Sequence, residues 1–214
     1  MTSKAPLRID IVSDVMCPWC AIGVGQILRA LEETGVAHDI HWHPFEINPN
    51  MSPEGRDRFA YLLEKYGSDR AQSEATHARM TALGAEVGFT FDFGDGFWVH
   101  NTFNAHQLLH WAGLQGRQHD LKQALFAAHF THRRNLSDTA VLADIAGEVG
   151  LDRAEAAAVL ADQRFAAEVR AQQAFWTRQG VQGVPAMVFD RQHLVSGAQG
   201  VENYARILRQ LAAG

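Results

Sequence analysis

Ser13-Asp14-Val15-Met16-Cys17-Pro18-Trp19-Cys20 follows directly on Leu7-Arg8-Ile9-Asp10-Ile11-Val12, and the reading of this stretch decides the fold. The first run alternates apolar and polar residues and then turns continuous, as a strand entering a sheet does. Cys17 comes next, and Pro18 takes the position a helix tolerates best, its first turn. Ile22, Ile27, Leu28 and Leu31 carry a helical stripe onward to a stop at Gly35. Ile40-His41-Trp42-His43-Pro44-Phe45 reads as a second strand, so the N-terminal segment is expected to form a right-handed βαβ unit.

Cys17 and Cys20 are the only two cysteines among the 214 residues. A Cys-X-X-Cys at a strand-to-helix junction reads first as a dithiol/disulfide couple. A zinc site would have to recruit two of the 11 histidines, which never recur at the spacing of a Cys₂His₂ module. The thiolate is the nucleophile of such a couple, and a free thiol is mostly protonated at neutral pH. Placing Cys17 at a helix start aims unsatisfied backbone N–H groups and the positive end of the helix dipole at its sulfur, which favours the anion. Cys20, one turn further in, is expected to be more buried and to resolve the mixed disulfide that Cys17 forms with a partner. Pro18 and Trp19 between them tune how strongly the reduced state is stabilised. Couples of this type span about −270 to −120 mV, so the motif leaves the direction of electron flow open.

A hydrophobic content of 47% suffices for a full core without a disulfide or metal for stability. The net charge of −5, with acids and bases interspersed, argues against a nucleic-acid surface. The start MTSKAPLRIDIVSD has no apolar run to serve as a leader core, because Arg8 and Asp10 interrupt it. Nothing approaches the ~18 apolar residues of a membrane span. The expectation is a cytoplasmic chain with no membrane partner, in a compartment that keeps thiols mostly reduced.

From Asn48 to about Gln163 the pattern is helix after helix. Ser52-Pro53 is expected to open one that carries Phe59, Leu62, Leu63 and Tyr66 and closes at Gly67, and Ser68 to open another ending near Gly88. Further helices are expected over Asn101–Trp111, Asp120–His132, Ser137–Val149 and Asp152–Leu160, the last with Glu155 reaching back to its start in a box-like cap. After a helix at about Phe165–Gln179, two strands, Ala186–Phe189 and His193–Ser196, flank a short connection. Val201, Tyr204, Ile207, Leu208 and Leu211 mark one face of a final amphipathic helix.

Four motifs in this order, Ser13-Asp14-x-x-Cys17-Pro18-Trp19-Cys20, Asn101-Thr102-x-x-Ala105-His106-x-Leu108, Gly180-Val181-x-Gly183-Val184-Pro185 and Ser196-Gly197-Ala198-Gln199, resemble the DsbA-like thioredoxin superfamily. The branch they resemble most is the cytosolic FrnE-type oxidoreductases, beside 2-hydroxychromene-2-carboxylate isomerases and kappa-class glutathione transferases. The resemblance implies an α/β, thioredoxin-like fold over residues 1–46 and 164–214, with a large helical insertion over 47–163. It also implies that Val184–Pro185 is a cis peptide facing the cysteines, with Val184 offering its backbone to an extended partner segment. A trans proline opening a strand is the plainer alternative. The isomerase and transferase relatives typically carry a serine where this chain has Cys17, and they use glutathione. Two cysteines favour dithiol exchange on protein or small-molecule disulfides, with no bound cofactor and with glutathione at most a co-substrate. A glutathione-dependent isomerase or transferase and a redox-switched binding protein are the alternatives.

Asp14 either relays the proton of Cys20 or caps the helix that follows. His106 and His110 share a helix face at an acceptable metal-ligand spacing, but with no third ligand in view the expectation is no metal. Asn101 and Thr102 are candidates for substrate contact, and equally cap the helix they precede. Phe89–Trp98, five aromatics in ten residues, is either an apolar lip beside the cysteines or, more plainly, packing between insertion and sheet. Trp42 and Trp111 are read as core.

Overall fold

A computed structural model describes residues 5–213, so residues 1–4 of the N-terminal stretch considered above for a leader lie outside the described residues. Strand β1 (Leu7–Ser13) leads into helix α1 (Pro18–Thr34), which ends where Gly35 turns left-handed and donates back to the Leu31 carbonyl. Strand β2 (His38–Pro44) then pairs parallel to β1, with Ile9 opposite Ile40, completing the βαβ unit. Far along the chain, β5 (Ala186–Phe189) returns antiparallel to β1, and β6 (His193–Ser196) pairs antiparallel to β5. The sheet runs β2-β1-β5-β6, and α9 (Val201–Ala213) packs beside α1. β1 is buried almost throughout because it is central. Even its Asp10 is fully buried, paired with Arg8 and His43.

Between β2 and the returning helix α8 (Ala166–Arg178) the chain makes a minor pair of two-residue strands and six helices among the described residues. In order these are β3 (Arg56–Asp57), α2 (Arg58–Tyr66), α3 (Arg70–Glu86), β4 (Trp98–Val99), α4 (Phe103–Leu114), α5 (Gln118–Phe130), α6 (Thr139–Glu148) and α7 (Arg153–Asp162). A second core of Leu108, Leu121, Leu125, Leu142, Ile145 and their neighbours holds α4–α7 together. This block is not set apart from the sheet. Met80, Phe126 and Phe130 join the core under α1, while Val15 packs into the helical one. No helix among the described residues is long and apolar enough to cross a membrane.

The helix expected from Ser52 starts instead at Arg58, capped by the Asp57 carboxylate, which accepts the Ala60 N–H at 3.0 Å. Gly55 is the reason. It sits at φ +74° with the Val99 carbonyl so close that a Cβ would lie 2.5 Å from it, so the chain turns into β3 before any helix can begin. The next helix is capped by Asp69 rather than Ser68, in a reciprocal box with Gln72. At α7, Asp152 takes the Glu155 N–H, but the Glu155 carboxylate turns to Arg164 at 2.7 Å and leaves the box half made. In the segment Phe89–Trp98, Phe89, Phe91, Phe93 and Phe97 pack on one another and on Phe130, and of the five aromatics only Trp98 is exposed. Packing is the role of the segment. Trp42 and Trp111 are both buried.

Helix α1 carries two notches. A Cβ on Gly23 would meet Pro185 at 3.0 Å and Ala198 at 3.5 Å, and one on Gly25 would meet the Val87 side chain at 2.6 Å.

Candidate active site at the Cys17–Cys20 pair

Because β1 ends in a tight turn, Cys17 arrives as the N-cap of α1 with extended backbone (φ −91°, ψ 110°) and Pro18 in the first turn. Its sulfur takes the role a Ser or Asp oxygen plays at other caps, accepting the Cys20 N–H at 3.3 Å. The cap is therefore the cysteine itself. The Asp14 carboxylate does not cap α1. It accepts the N–H groups of Met16 at 3.2 Å and Ile47 at 2.8 Å, and so ties the active-site turn to the segment after β2. Both thiols are free. Cys17 is 3% exposed and Cys20 is 0% exposed.

The Val184–Pro185 peptide is cis, and the Cys17 thiol points at the Val184 carbonyl, donating over 3.6 Å. Cys17, Pro18, Trp19, Gly183 and Val184 line one side of a cavity of about 620 Å³, within the ~300–1,000 Å³ of small-molecule sites. Its other side comes from the helical block: Arg58, Tyr61, Lys65, His77 and Met80.

Arg58 is the unexpected member. It is 6% exposed, yet it makes no ion pair with any described carboxylate. Its Nε donates to His77 Nε2 at 2.8 Å, and its guanidinium lies 4.9 Å from the Phe93 ring centre and 5.4 Å from that of Phe97. Burial pushes Arg58 down to about 10, still a full cation at neutral pH. Burial, and then the Arg58 charge, push His77 down to about 4, so this imidazole is neutral and keeps a lone pair for the guanidinium.

The opposite, sealed side of the dithiol faces Cys20. Burial, and then the neighbouring Cys17, push the Cys20 thiol up. Burial also pushes the Asp14 carboxyl up, but the His106 imidazole and the Ile47 and Met16 N–H groups outweigh it, and the net direction is down. His106 Nε2 stands 3.5 Å from Asp14 Oδ1 and is 2% exposed as a residue. Lys122 on α5 completes this side. It is 1% exposed, its Nζ lies 5.1 Å from the Phe126 ring centre, and burial pushes it down to about 8 despite the pull of Cys20, Asp14 and Cys17.

Of the residues picked from sequence, Cys17, Cys20, Asp14, Pro18, Trp19, Val184 and Pro185 come together. Asn101 and Thr102 do not line the cavity. The Asn101 side chain accepts the Phe103 N–H at 2.9 Å and donates to the Met51 carbonyl, and Thr102 is a buried N-cap residue with no side-chain cap bond, so their place is the start of α4. The His106/His110 pair is split, His106 facing Asp14 and His110 bonding Gln172 against the Phe165 ring. No group of three or more His, Cys, Asp or Glu side chains among the described residues is placed to hold a metal. Arg58, His77 and Lys122 carried no motif. Lys122 had one signal, a lysine in helical register with Phe126 and His129 on the buried face of α5.

Comparison with known proteins adds four findings. The model of the DsbA-like thioredoxin domain matches residues 8–209. The crystal structure of a probable DsbA oxidoreductase from Streptomyces coelicolor is 33% identical and superposes with a TM-score of 0.90, over 97% of this chain and 90% of that one. A cytosolic disulfide reductase, DsbM from Pseudomonas aeruginosa, solved with GSH, shares the fold at 17% identity and a TM-score of 0.66, over 97% of this chain and 100% of its own. Among curated sequences, the uncharacterized protein YwbO of Bacillus subtilis (strain 168) is 26% identical over 148 residues, 69% of this chain and 68% of that protein.

Proposed function

We propose that this chain, which belongs to the DsbA-like thioredoxin family, is a thiol–disulfide oxidoreductase that works through Cys17 and Cys20. One observation carries the reading: the Cys17 sulfur sits at the start of α1, holding the Cys20 N–H at 3.3 Å and opening onto a cavity beside the Val184 carbonyl. The first N–H groups of α1 and the positive end of its dipole favour negative charge on that sulfur. The Cys17 thiolate attacks one sulfur of a substrate disulfide, forming a mixed disulfide and expelling the other half as a thiolate. Cys20 then gives up its proton and attacks the Cys17 sulfur, which expels the second substrate thiolate and leaves a Cys17–Cys20 disulfide. Two electrons have passed to the substrate.

Cys20 is the harder thiol to ionise, since burial holds its proton on. Asp14, held as an anion, is a weak base. Lys122, brought down to about 8 and still mostly charged at neutral pH, eases the Cys20 anion electrostatically. An extended substrate segment pairs with the backbone of Val184, as a strand added at an edge does. The cycle is closed by an external thiol, for which glutathione is the natural co-substrate in a reducing cytoplasm. No resident cofactor enters it.

A Cys20→Ser variant tests the reading. Expressed in cells under mild oxidative load, it is expected to accumulate mixed disulfides through Cys17 that dithiothreitol dissolves. A folded variant that accumulates none overturns the proposal. Glutathione conjugation that survives this substitution, with no disulfide turnover in the native chain, selects the isomerase or transferase reading instead.

A further inference from the structure

Arg58 is a buried cation whose charge no described carboxylate answers. A guanidinium taken out of water loses hydration, and without a partner that loss is uncompensated. Proteins usually repair it with a carboxylate within about 4 Å, yet Arg58 has only the neutral Nε2 of His77 and the faces of Phe93 and Phe97. That support orients the group. With Nε engaged, the two terminal nitrogens make no hydrogen bond among the described residues, and Arg58 is part of the cavity wall that Cys17 shares. The other charges there do not cancel it. Glu46 is held through its Oε2 by Arg170 and Gln173, while its buried Oε1 has no partner among the described residues and forms no ion pair with Arg58. The Lys65 ammonium adds a second cation, anchored to the Ile47 carbonyl and to Asn48 Oδ1 at 2.6 Å.

We infer that Arg58 is a specificity-determining residue, which pairs with the carboxylate of a low-molecular-weight disulfide while one of that molecule's sulfurs meets Cys17. The inference rests on the disulfide-exchange reading and names its substrate class. A planar guanidinium with two free nitrogens suits a carboxylate, which accepts two parallel N–H bonds. The cavity, about 620 Å³, is of a size that takes a small disulfide. The aromatic platform explains why the site uses arginine, since Phe93 and Phe97 accept the face of a guanidinium and hold it pointing one way. The covalent step is the exchange described above, and Arg58 neither gives nor takes a proton in it.

The test compares two disulfides that differ in charge, dithiobis(nitrobenzoate), with a carboxylate on each half, and dithiodipyridine, neutral near pH 8. Pre-reduced protein is mixed with excess probe in a stopped-flow instrument, and the saturation curve separates binding from the chemical rate. For Arg58→Met the ratio of second-order constants, carboxylate probe over neutral probe, is expected to fall about tenfold or more, through weaker binding. Arg58→Lys is expected to recover part of it. A ratio that stays level in Arg58→Met overturns the inference, because a purely structural role, or an action of Arg58 on the Cys17 sulfur alone, moves both probes together. Failure of the native chain to react with either probe strikes instead at the exchange reading beneath. A second measurement needs no variant: alkylation of Cys17 by iodoacetate relative to iodoacetamide, in the folded chain and again in urea. The folded chain is expected to show the higher ratio, and a ratio no greater than that in urea overturns the inference.

Discussion

The two sulfurs lie three residues apart on one helix, yet they face different solvents. Cys17 looks into a cavity walled by α2 and α3, whereas Cys20 looks into packed protein beside α5. The helical block sets a buried cation against each, Arg58 toward the open sulfur and Lys122 toward the sealed one. The sheet and α1 thus supply the sulfur chemistry, and the insertion supplies the electrostatics that tell the two sulfurs apart. A thioredoxin-like core alone would leave this asymmetry to one turn of helix.

The sharpest way to break the comparison is to remove each sulfur in turn. Cys17→Ser is expected to abolish thiol release from a disulfide probe down to the buffer background. Cys20→Ser is expected to release one thiol equivalent per chain in a burst and then stop, because the captured half cannot be expelled. Equal behaviour of the two variants in a stopped-flow assay would erase the distinction between attacking and resolving sulfur.

A smaller effect is expected from Lys122→Met. Holding a buried charge without an ion-pair partner is costly, and the lowering of Lys122 from ~10.4 to about 8 sets that cost at about 3 kcal/mol. Replacing it with an apolar side chain of similar length is expected to raise stability at pH 7, read from a urea midpoint, by up to that much. The gain should depend on pH with a definite sign. Lys122 titrates at about 8 in the folded chain, against ~10.4 when unfolded, so folding expels a proton between those values. The native chain therefore gains stability as pH rises from 8 toward 10.4, and its deficit against Lys122→Met narrows over that window. The same variant is expected to slow release of the mixed disulfide, so stability and turnover move in opposite directions. A deficit that stays flat from pH 7 to 10 would mean that Lys122 carries no buried charge.

The smallest effect isolates one wall. Asp69→Ala removes the box that starts α3, the helix carrying His77, at an expected cost of ~1 kcal/mol. Amide exchange should quicken in α3 while α5, and with it the environment of Lys122, is unchanged. Matching acceleration in α5 would show that the two walls are one cooperative unit.

Much of the fold was legible because its signals are local. The strand run into Cys17, the Pro18 helix start, the Gly35 stop and the apolar face of α9 each declare themselves within a few residues. The dithiol and the Val184–Pro185 turn were equally readable, since motifs carry them. What stayed hidden depends on distant neighbours. Gly55 gave no warning that β4 would press against it and delay α2 to Arg58. Asp14 could be placed near the cysteines, but its hold on the Ile47 N–H, 33 residues away, could not. Arg58 and His77 are unremarkable residues on two separate helices and become a pair only when α2 and α3 dock. Asn101 and Thr102 show the opposite case, motif residues whose visible work is local, at the start of α4.

The two glycine notches of α1 have a mechanical consequence. Positions 23 and 25 lie on nearly opposite sides of a helix, so the helix bearing both sulfurs is gripped by Pro185 and Ala198 on one flank and by Val87 on the other. The turn after Gly183 and the end of α3 are therefore geared through α1, and neither can shift without the helix shifting too. A single methyl group at either glycine would act as a wedge, altering where the sulfurs sit relative to their surroundings without touching a charge, a thiol or the cavity lining.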